Sequence, residues 1–396
     1  MNNQFRQHFP FFQHSPDWCY LDSAATTLKP QVLIDSTAAF YASAGSVHRS
    51  QYDLSQTQQY ELARDLVAKR FNVANREAVI WTSGTTHAIN LVAYGLEYLL
   101  KEGDEIVISV AEHHANFIPW QQLASRTKAT LKVLAVNEHY QIDEDELRNV
   151  LSPKTKIVAF NLVSNVTGVR QPVEKLVALI RQNSQAYILL DIAQAVCSEK
   201  VNVQEIDADF YTFSAHKMYG PNGVGVLMGR LQSLAKLRPL FYGGKMLKEV
   251  SEQHLILADL PYRLEAGTPN IAGIIGFGQV LQWLEEWDFE QLNSKLYQLA
   301  NDIYKRLEKY PHLQILGSHI SSTISFTIQS VHHADVAAFL TESKIAIRAG
   351  EHCAKPYIRY LAQQGTLRLS LAHYNNTEDI DRFFQALDFA LEILLE

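Results

Sequence analysis

The chain has 396 residues, of which 47% are apolar and 19% charged, a composition typical of a globular protein with more than one hydrophobic core. The formal net charge is −7 and no block of Lys and Arg stands out, so we expect neither nucleic acid nor a membrane as a partner. The sparse, odd set of cysteines, Cys19, Cys197 and Cys353, argues against a disulfide framework and indicates the cytoplasm. We find no membrane-spanning apolar run, and no secretory signal before Pro16.

Two regions with different secondary-structure patterns follow one another along the chain. From about residue 17 to 229, β-rich runs alternate with helical segments, which predicts a mainly parallel sheet covered by helices. The predicted strands are Ala78–Trp81, Glu105–Val110, Leu131–Val136, Lys156–Leu162, Tyr187–Asp191 and Phe210–Ser214, and the helices are His87–Leu100, Ile118–Ser125 and Val173–Asn183. After about residue 275 the pattern predicts a smaller α+β domain, with helices Phe277–Trp287, Phe289–Lys309 and Thr377–Leu395 and strands Ser322–Thr327 and Ile345–Ala349. We therefore predict an α/β protein with a large domain at residues 16–282 and a small domain at residues 283–396, joined by residues 1–15.

The most informative run is Ser214–Lys217, which ends an apolar strand and precedes a glycine-rich return. A lysine at the mouth of a strand, with Ser214 and His216 within one turn, suits a covalent bond to an aldehyde that has a phosphate beside it. Pyridoxal phosphate (PLP) is the aldehyde cofactor that also carries a phosphate, so the run favours PLP. Taken alone, a lysine here is more often a solvated strand-end residue.

A second strand-end motif strengthens that interpretation. Asp191 ends the preceding predicted strand, and Gln194 follows three residues later. A carboxylate at the carboxyl end of a strand faces the ligand crevice of an open α/β sheet, where it would keep a pyridinium nitrogen protonated. Gln194 could donate to the phenolic oxygen of the cofactor. Asp191 alone could equally cap the next helix, but the two motifs together are a strong signal.

Ser83–Thr86 lies between a strand and a helix and predicts a phosphate-binding turn. Its glycine lets the backbone approach a ligand closely, and the helix start presents free N–H groups and the positive end of a dipole. Thr85 and Thr86 add hydroxyl donors, although the same pattern also fits a plain threonine N-cap.

The adjacent pair His113 and His114 follows another predicted strand. Adjacent side chains point apart and rarely share a metal, and no cysteine or carboxylate cluster supports a metal site, so we expect none. We expect instead that one imidazole stacks on a flat aromatic cofactor. Further along, Arg368 alternates with apolar residues, and it could either clamp a substrate carboxylate or be an exposed strand arginine.

These residues belong to a longer series of motifs that occur in one order: Leu21–Thr26, Val47–Arg49, Gly84–Thr86, Glu112–Asn116, Ser164–Asn165, Asp191–Gln194, Ser214–Lys217, Glu265–Asn270, Arg348–Cys353 and Arg368. Over nearly its whole length the chain therefore resembles fold-type-I PLP enzymes of the class V aminotransferase family. Within that family it resembles the cysteine desulfurases of the branch that includes cysteine sulfinate desulfinase and the Suf-pathway enzyme. Ser164–Gly168 and Val331–His333 look closer to the sulfinate desulfinase type.

The resemblance implies a mainly parallel, seven-stranded type of sheet in the large domain and a smaller α+β domain that carries Cys353 and Arg368. It implies that Lys217 holds PLP and moves protons while His113 stacks on the ring. It also implies that Asp191 and Gln194 bind the ring, and that the phosphate is bound by Thr85, Thr86, Ser214 and His216. It implies a homodimer, in which Thr268 binds the phosphate of the partner subunit. The residues implied at the substrate are Asn165, Arg368, Arg348 and His48.

Cys353 decides which reaction the resemblance implies. A lone cysteine is usually buried and inert, but Cys353 lies in a polar loop beside a histidine, and an exposed thiol near cations is a nucleophile when ionised. The implied reaction converts L-cysteine to L-alanine and leaves a persulfide on Cys353, which passes its sulfur to a small acceptor protein for uses such as iron–sulfur cluster assembly. Cysteine sulfinate and selenocysteine are further substrates that need the thiol less.

Three alternatives remain open at this point. The first is a class V transaminase or lyase that uses the same cofactor without the thiol. The second is a non-catalytic sulfur-carrier scaffold, which the intact Lys217, Asp191 and His113 argue against. The third, a nicotinamide oxidoreductase, depends only on the glycine run at residues 220–225, whose spacing and position before a strand do not fit a dinucleotide fingerprint.

Overall fold

The computed structural model describes residues 4–43, 45–317 and 321–395. The other residues, 1–3, 44, 318–320 and 396, fall within the two predicted domains and lie outside the described part of the chain. Among the described residues, no helix is both long enough and apolar enough to cross a membrane.

The strands of the described residues form a large sheet, a small sheet and two short pairs. In chain order they are β1 (Cys19–Tyr20), β2 (Val79–Thr82), β3 (Glu105–Ser109), β4 (Thr130–Leu134), β5 (Thr155–Asn161), β6 (Tyr187–Asp191), β7 (Phe210–Ser214), β8 (Gly225–Gly229), β9 (Leu247–Val250), β10 (Leu255–Leu257), β11 (Leu313–Leu316), β12 (Thr323–Ile328), β13 (Ile345–Ala346), β14 (Arg348–Gly350) and β15 (Thr366–Ser370).

The large sheet has seven strands in the order β2-β8-β7-β6-β5-β3-β4. The pairs from β4 through β7 are parallel, whereas β8 runs antiparallel to both of its neighbours. Side chains of each central strand alternate between two cores, so Ile188 and Leu190 of β6 pack on one face and Leu189 on the other. Burial on both faces explains why these strands appear in the sequence as continuous apolar runs. The predicted α/β architecture with a mainly parallel sheet is confirmed.

The helices of the described residues pack on both faces of the large sheet and against the small sheet. In chain order they are α1 (Phe11–His14), α2 (Gln31–Tyr41), α3 (Leu54–Arg70), α4 (Thr85–Leu96), α5 (Ile118–Thr127), α6 (Glu144–Val150), α7 (Val173–Asn183), α8 (Val203–Ile206), α9 (Leu231–Leu234), α10 (Ile271–Glu285), α11 (Phe289–Leu307), α12 (His333–Glu342), α13 (Lys355–Tyr360) and α14 (Thr377–Leu394). Helices α4 and α5 pack on one face, and α2, α3, α7 and α10 pack on the other.

The small sheet is antiparallel, in the order β11-β12-β15-β14, and packs against α11, α12 and α14 in a core of its own. The predicted single strand Ile345–Ala349 is wrong, because this segment is two strands in two sheets. Ile345–Ala346 pairs with β1, and Arg348–Gly350 pairs with β15. The buried Ile345 sends its side chain into the core beside Cys19, and the chain then changes partner before Arg348.

The amino-terminal segment contacts both cores, on either side of the predicted boundary at residue 16. Phe5 stacks on Trp283 with ring centroids 4.9 Å apart, within the core of the large sheet. Cys19 and Leu21 lie in the core of the small sheet instead. The division into two domains stays our proposal, with the first strand of the chain belonging by its packing to the small one.

Candidate active site

A cavity of about 330 Å³ opens beyond the carboxyl ends of the parallel strands. Most of the predicted site residues line it: Thr85, Thr86, His113, Asn165, Asp191, Gln194, Ser214, His216, Lys217, Arg348, Cys353 and Arg368. The large sheet contributes Asp191 and Ser214 from the ends of neighbouring strands, and the small sheet contributes Arg348 and Arg368. The cavity therefore lies where the two sheets meet, with the groups of a ligand crevice on one side and two guanidinium groups on the other.

Lys217 is the lysine of this cavity and sits on the short turn Ala215–Lys217 that follows β7. Burial lowers the pKa of its ammonium to about 8; Asp191 opposes this shift, and the positive charge of Arg368 adds to it. Roughly a tenth of Lys217 is therefore a neutral amine at pH 7, far more than of an ordinary lysine, and this is the form that attacks a carbonyl carbon or takes a proton.

Asp191 is 6% exposed, and its Oδ1 accepts the Ala193 N–H at 2.9 Å. Burial raises the pKa of this carboxyl group, while the Ala193 hydrogen bond and Lys217 act in the opposite direction. In the described part of the chain its other oxygen has no hydrogen-bond partner, so it can accept from a ring N–H in the cavity. Gln194 donates to the Ala24 carbonyl at 3.0 Å, so this side of the cavity contacts the Leu21–Thr26 motif.

The predicted phosphate-binding turn brings the first residue of α4 into contact with the last residue of β7. The Thr85 N–H, at the first residue of α4, donates to Ser214 Oγ at 2.8 Å, and the two hydroxyl oxygens are also 2.8 Å apart. His216 Nδ1 is buried without a partner among the described residues. Burial lowers the pKa of this imidazole to about 4, with Lys217 and Lys29 contributing, so it is neutral. Free N–H groups, hydroxyls and the N-terminus of α4 form a site that suits a phosphate.

Gly225 keeps this turn in place, and its substitution gives a first testable prediction. Gly84 adopts φ of 154°, and a Cβ on Gly225 would lie 2.6 Å from the Gly84 backbone nitrogen. Gly225→Ala should therefore displace the turn and cost about 1–3 kcal/mol of unfolding free energy. We expect a lower thermal midpoint and faster loss of cofactor on dialysis. Gly243→Ala is a matched control for backbone effects, because Gly243, like Gly225, is not in the left-handed region and its Cβ would meet nothing within 4 Å. Equal cofactor retention in the two variants would contradict this prediction.

His113 is held as a neutral, fixed ring. Its Nδ1 accepts the Ala115 N–H at 3.0 Å, which places the ring proton on Nε2. Burial, with the nearby positive charge of Lys217, lowers its pKa to about 3. His114 has separate partners: its backbone N–H donates to the Cys353 carbonyl at 2.7 Å, and its Nε2 accepts the Lys355 N–H at 3.1 Å. The arrangement favours ring stacking by His113 over metal binding by the pair.

Glu112 supports His113 from behind, and sequence reasoning did not single it out. Its side chain is fully buried and accepts hydrogen bonds from Ser109, Asn116 and Asn161. Burial raises the pKa of Glu112 to about 8. The spacing of Glu112 and Asn116, one helical turn apart, was the available signal. The network fixes the turn that presents His113 to the cavity.

Asp22 is a second residue to which sequence reasoning gave no role of its own, and it links the two arginines of the cavity. Arg368 is 3% exposed; its Nη1 donates to the Asn165 carbonyl at 2.9 Å and its Nη2 to Asp22 Oδ1 at 3.3 Å. The half-exposed Arg348 donates to Asp22 Oδ2 from Nε and Nη2, at 3.1 and 2.8 Å. Arg368 Nε is buried and has no partner among the described residues, so it remains a donor for a substrate carboxylate.

Cys353 is exposed and lies in a rigid loop rather than a flexible one. His352 and Cys353 have φ of 52° and 54°, a left-handed conformation that costs energy in residues with a side chain. The Cys353 carbonyl accepts from His114, and His352 Nε2 lies 2.7 Å from Thr366 Oγ1. Burial lowers the pKa of His352 to about 3, so this histidine brings no positive charge. The cations that interact with Cys353 are Lys217, Arg348 and Arg368.

The loop is also shorter than the sequence suggested. The sequence predicts a strand end at Ala349 and a helix that starts near Tyr357, which leaves residues 350–356 between them. The strand ends at Gly350 and α13 begins at Lys355, so only residues 351–354 lie between them. The Lys355-Pro356 pair starts the helix early, because proline fits the first turn of a helix. Cys353 is therefore confined to the mouth of the cavity.

Two predicted residues, His48 and Thr268, lie away from the cavity of their own chain. His48 Nε2 is 3.1 Å from Glu61, which also accepts from Arg76 and Tyr262. Thr268 is exposed on the loop before α10. The predicted place of His48 at the substrate entrance therefore remains a prediction, because His48 does not line the cavity of its own chain. The proposed reach of Thr268 into a partner subunit remains a prediction.

Comparison with known proteins agrees with this geometry. The family model described as "Aminotransferase class-V" matches residues 19–383. A relative from Haemophilus influenzae named probable cysteine desulfurase is 54% identical over 390 residues, which cover 98% of this chain and 89% of the relative. The crystal structure of the cysteine desulfurase CsdA (S-sulfonic acid) from Escherichia coli superposes with a TM-score of 0.94 at 41% identity, with 99% of each chain covered. The chain belongs to the class V aminotransferase family.

Proposed function

We propose that the protein is a PLP-dependent cysteine desulfurase, which converts L-cysteine to L-alanine and retains the sulfur as a persulfide on Cys353. The observation that carries this proposal is that Lys217 and the exposed thiol of Cys353 line one cavity together with Arg368. A transaminase or lyase needs the lysine and the arginine but not the thiol. Relatives named as cysteine desulfurases, at 41% to 54% identity over nearly the whole chain, support the same choice.

The residues around the cavity fit PLP. The buried, unpartnered His216 Nδ1 and the start of α4 suit its phosphate, and the free oxygen of Asp191 suits its ring nitrogen. The fixed, neutral ring of His113 suits stacking, and Lys217 suits its aldehyde. When bound, PLP supplies an electron sink for the charge that develops at the substrate α-carbon.

The residues of the chain then divide the reaction between them. Arg368 binds the substrate carboxylate through its free Nε and is held in place by the Asn165 carbonyl and Asp22. The neutral amine of Lys217 takes the α-proton and later returns a proton as an ammonium group. The Cys353 thiolate attacks the substrate sulfur, so a sulfur–sulfur bond forms while the bond from the β-carbon to sulfur breaks. The electron pair stays with the β-carbon, which gains a proton and becomes the methyl group of alanine.

The proposal extends to substrates and to cellular context. Cysteine sulfinate and selenocysteine place a better leaving group on the β-carbon, so they need Cys353 less. We also propose that the protein works in the cytoplasm and mobilises sulfur for processes such as iron–sulfur cluster assembly. The free state of Cys19, Cys197 and Cys353 supports a reducing compartment.

The test of this function uses the holoenzyme and L-cysteine alone. We expect alanine in stoichiometric amounts with persulfide sulfur, and a sulfur adduct on the peptide that contains Cys353 by mass spectrometry. A transaminase would instead require a 2-oxo acid and leave Cys353 unmodified. A sulfur-carrier scaffold would form no alanine, and a nicotinamide oxidoreductase would bind no PLP.

A homodimer is part of the proposal, with Thr268 completing the phosphate site of the partner subunit. The exposure of Thr268, outside the cavity of its own chain, supports this role. Thr268→Ala should weaken PLP retention while the circular dichroism spectrum is unchanged. Sedimentation at assay concentration should show a dimer. A fully active monomer, or unchanged PLP retention in Thr268→Ala, would rule out the role.

A small sulfur-acceptor protein with its own reactive cysteine is the proposed second partner. Because residues 351–354 form a short, anchored loop, the persulfide cannot swing out to a distant acceptor and waits at the cavity mouth. An acceptor from the same cell should therefore raise alanine formation several-fold at saturating cysteine. The comparison is with dithiol reductant alone. If reductant already gives the maximal rate, and no acceptor exceeds it, the argument from the loop fails.

A further inference from the structure

The carboxylate of Asp22 sits between the two guanidinium groups of the cavity. Arg348 donates to its Oδ2 twice, and Arg368 donates to its Oδ1 at 3.3 Å. Asp22 is 9% exposed, and its position is fixed by the backbone: the Ser370 N–H donates to the Leu21 carbonyl at 2.7 Å, and the Ser23 N–H donates to the Ser370 carbonyl at 3.3 Å. The carboxylate is thus a built-in part of the site and cannot easily move away when a ligand enters.

The charges in this part of the cavity do not cancel. Two guanidinium groups face one carboxylate, which leaves one positive charge on Arg348 and Arg368 together. The single α-carboxylate of an amino acid restores neutrality there, and Arg368 has a free Nε to receive it. A substrate with a second anionic group finds the Nε and Nη2 donors of Arg348 already bound to Asp22.

Arg348 is the arginine that a second anionic group would meet. Arg348 begins β14, the strand that leads directly into the Cys353 loop at residues 351–354, and both residues line the cavity. The sulfur of Cys353 must approach the sulfur end of the substrate. The sulfinate of cysteine sulfinate would occupy the same end of the cavity, close to the negative charge of Asp22. The thiol of L-cysteine carries no such charge when it is protonated.

We propose that Asp22 is a specificity-determining residue that, by pairing with Arg348, favours substrates with one negative charge over substrates with two. In terms of the proposed reaction, on which this inference rests, Asp22 shifts the preference from cysteine sulfinate towards L-cysteine. Asp22 also positions Arg368, but a purely structural role would affect both substrates alike. The ratio of the two specificity constants therefore separates the two roles.

The first test compares kcat/KM of the holoenzyme for L-cysteine sulfinate and for L-cysteine, measured as alanine formation with reductant present. Asp22→Asn should raise the sulfinate-to-cysteine ratio by about fivefold or more, mainly through a lower KM for the sulfinate, because the released Arg348 can bind it. Asp22→Asn combined with Arg348→Gln should return the ratio towards that of the unmodified protein. A ratio that stays within about twofold in Asp22→Asn overturns the proposal.

Asp209→Asn is the matched control. Asp209 is 4% exposed and pairs with Arg181 at 2.7 Å. It immediately precedes β7, so it lies at the amino end of this strand, whereas the cavity lies at the carboxyl end. Its substitution removes an equally buried, arginine-paired carboxylate and should leave the ratio unchanged. A rise in the ratio equal to that of Asp22→Asn would show a general charge effect and overturn the proposal.

A second measurement needs neither a variant nor turnover. L-Aspartate and L-asparagine have nearly the same shape and differ by one negative charge in the side chain. Titrated by the change in visible absorbance of the unmodified holoenzyme, aspartate should bind about fivefold or more weakly than asparagine. Equal or tighter binding of aspartate overturns the proposal. Absence of cysteine turnover would overturn the proposed function but would leave this binding comparison valid.

Discussion

Lys217→Ala should abolish turnover of L-cysteine, a loss of about 10⁴-fold or more, and should lose the adduct that borohydride fixes between the protein and PLP. Among the described residues that line the cavity, Lys217 is the one that carries an amine. No other group there can both hold an aldehyde and move the α-proton. The measurement is alanine formation by the variant, together with peptide mapping of the borohydride-treated unmodified protein.

Lys29 provides a stringent control for this assignment. It is another largely buried amine near the cavity, and burial lowers its pKa to about 7. Its Nζ is occupied, since it donates to the Thr27 carbonyl at 2.7 Å and to the His216 carbonyl at 3.0 Å. The fixed adduct should map to Lys217 and should persist in Lys29→Met. An adduct on any other lysine would refute the assignment.

Lys217 also makes the uptake of PLP by the apoprotein depend on pH. Only the neutral amine attacks an aldehyde, and the pKa of Lys217 is lowered from its ordinary value to about 8. Below that pH each unit of acidification reduces the neutral fraction about tenfold, and above it the fraction levels off. The rate at which apoprotein takes up PLP should therefore rise with pH up to about 8 and change little beyond. A rate that keeps rising past pH 10 would indicate an ordinary exposed lysine.

Much of the large-sheet side of the site was predictable because parallel strands bring their carboxyl ends to one edge. Asp191 and Ser214 end consecutive strands, so their proximity follows from the alternating pattern alone. The phosphate-binding turn at Thr85 was predictable for the same reason, since it joins a strand to a helix. Local sequence is sufficient to predict where a functional residue lies when that residue stands at the end of a strand or at the start of a helix.

The small-sheet side was harder to predict because its contacts join distant parts of the chain. The pairing of Asp22 with Arg348 and Arg368 depends on β1 lying beside β13 and on a bridge from Asp22 to Ser370. No periodicity at either end of the chain indicates that contact. The same change of strand partner explains why Ile345–Ala349 looked like one strand. The left-handed conformation of Cys353 was also hidden, because neither it nor His352 is a glycine.

Cys353→Ser should lower turnover of L-cysteine by at least about 10²-fold and should form no protein persulfide. The hydroxyl of serine is not ionised near neutral pH and does not attack a sulfur atom, whereas a thiolate does. The substitution is otherwise conservative: serine has nearly the same shape, and the backbone hydrogen bond from His114 to residue 353 is kept. The variant should therefore still bind cysteine, and Lys217 should still exchange its α-proton with solvent.

Two further measurements complete this test: one uses selenocysteine as the substrate, and the other replaces a different cysteine residue of the chain. Because selenium leaves more readily than sulfur, Cys353→Ser should keep a larger share of its activity on selenocysteine than on cysteine. Cys197→Ser is the matched control, since that half-buried thiol lies 3.3 Å from the Tyr219 hydroxyl and burial raises its pKa to about 11. A thiol with so high a pKa is not an effective nucleophile, so cysteine turnover should survive in Cys197→Ser. Turnover that survives equally in Cys353→Ser would leave the cavity with a cofactor lysine but no sulfur-accepting residue, and the class V lyase would become the better description.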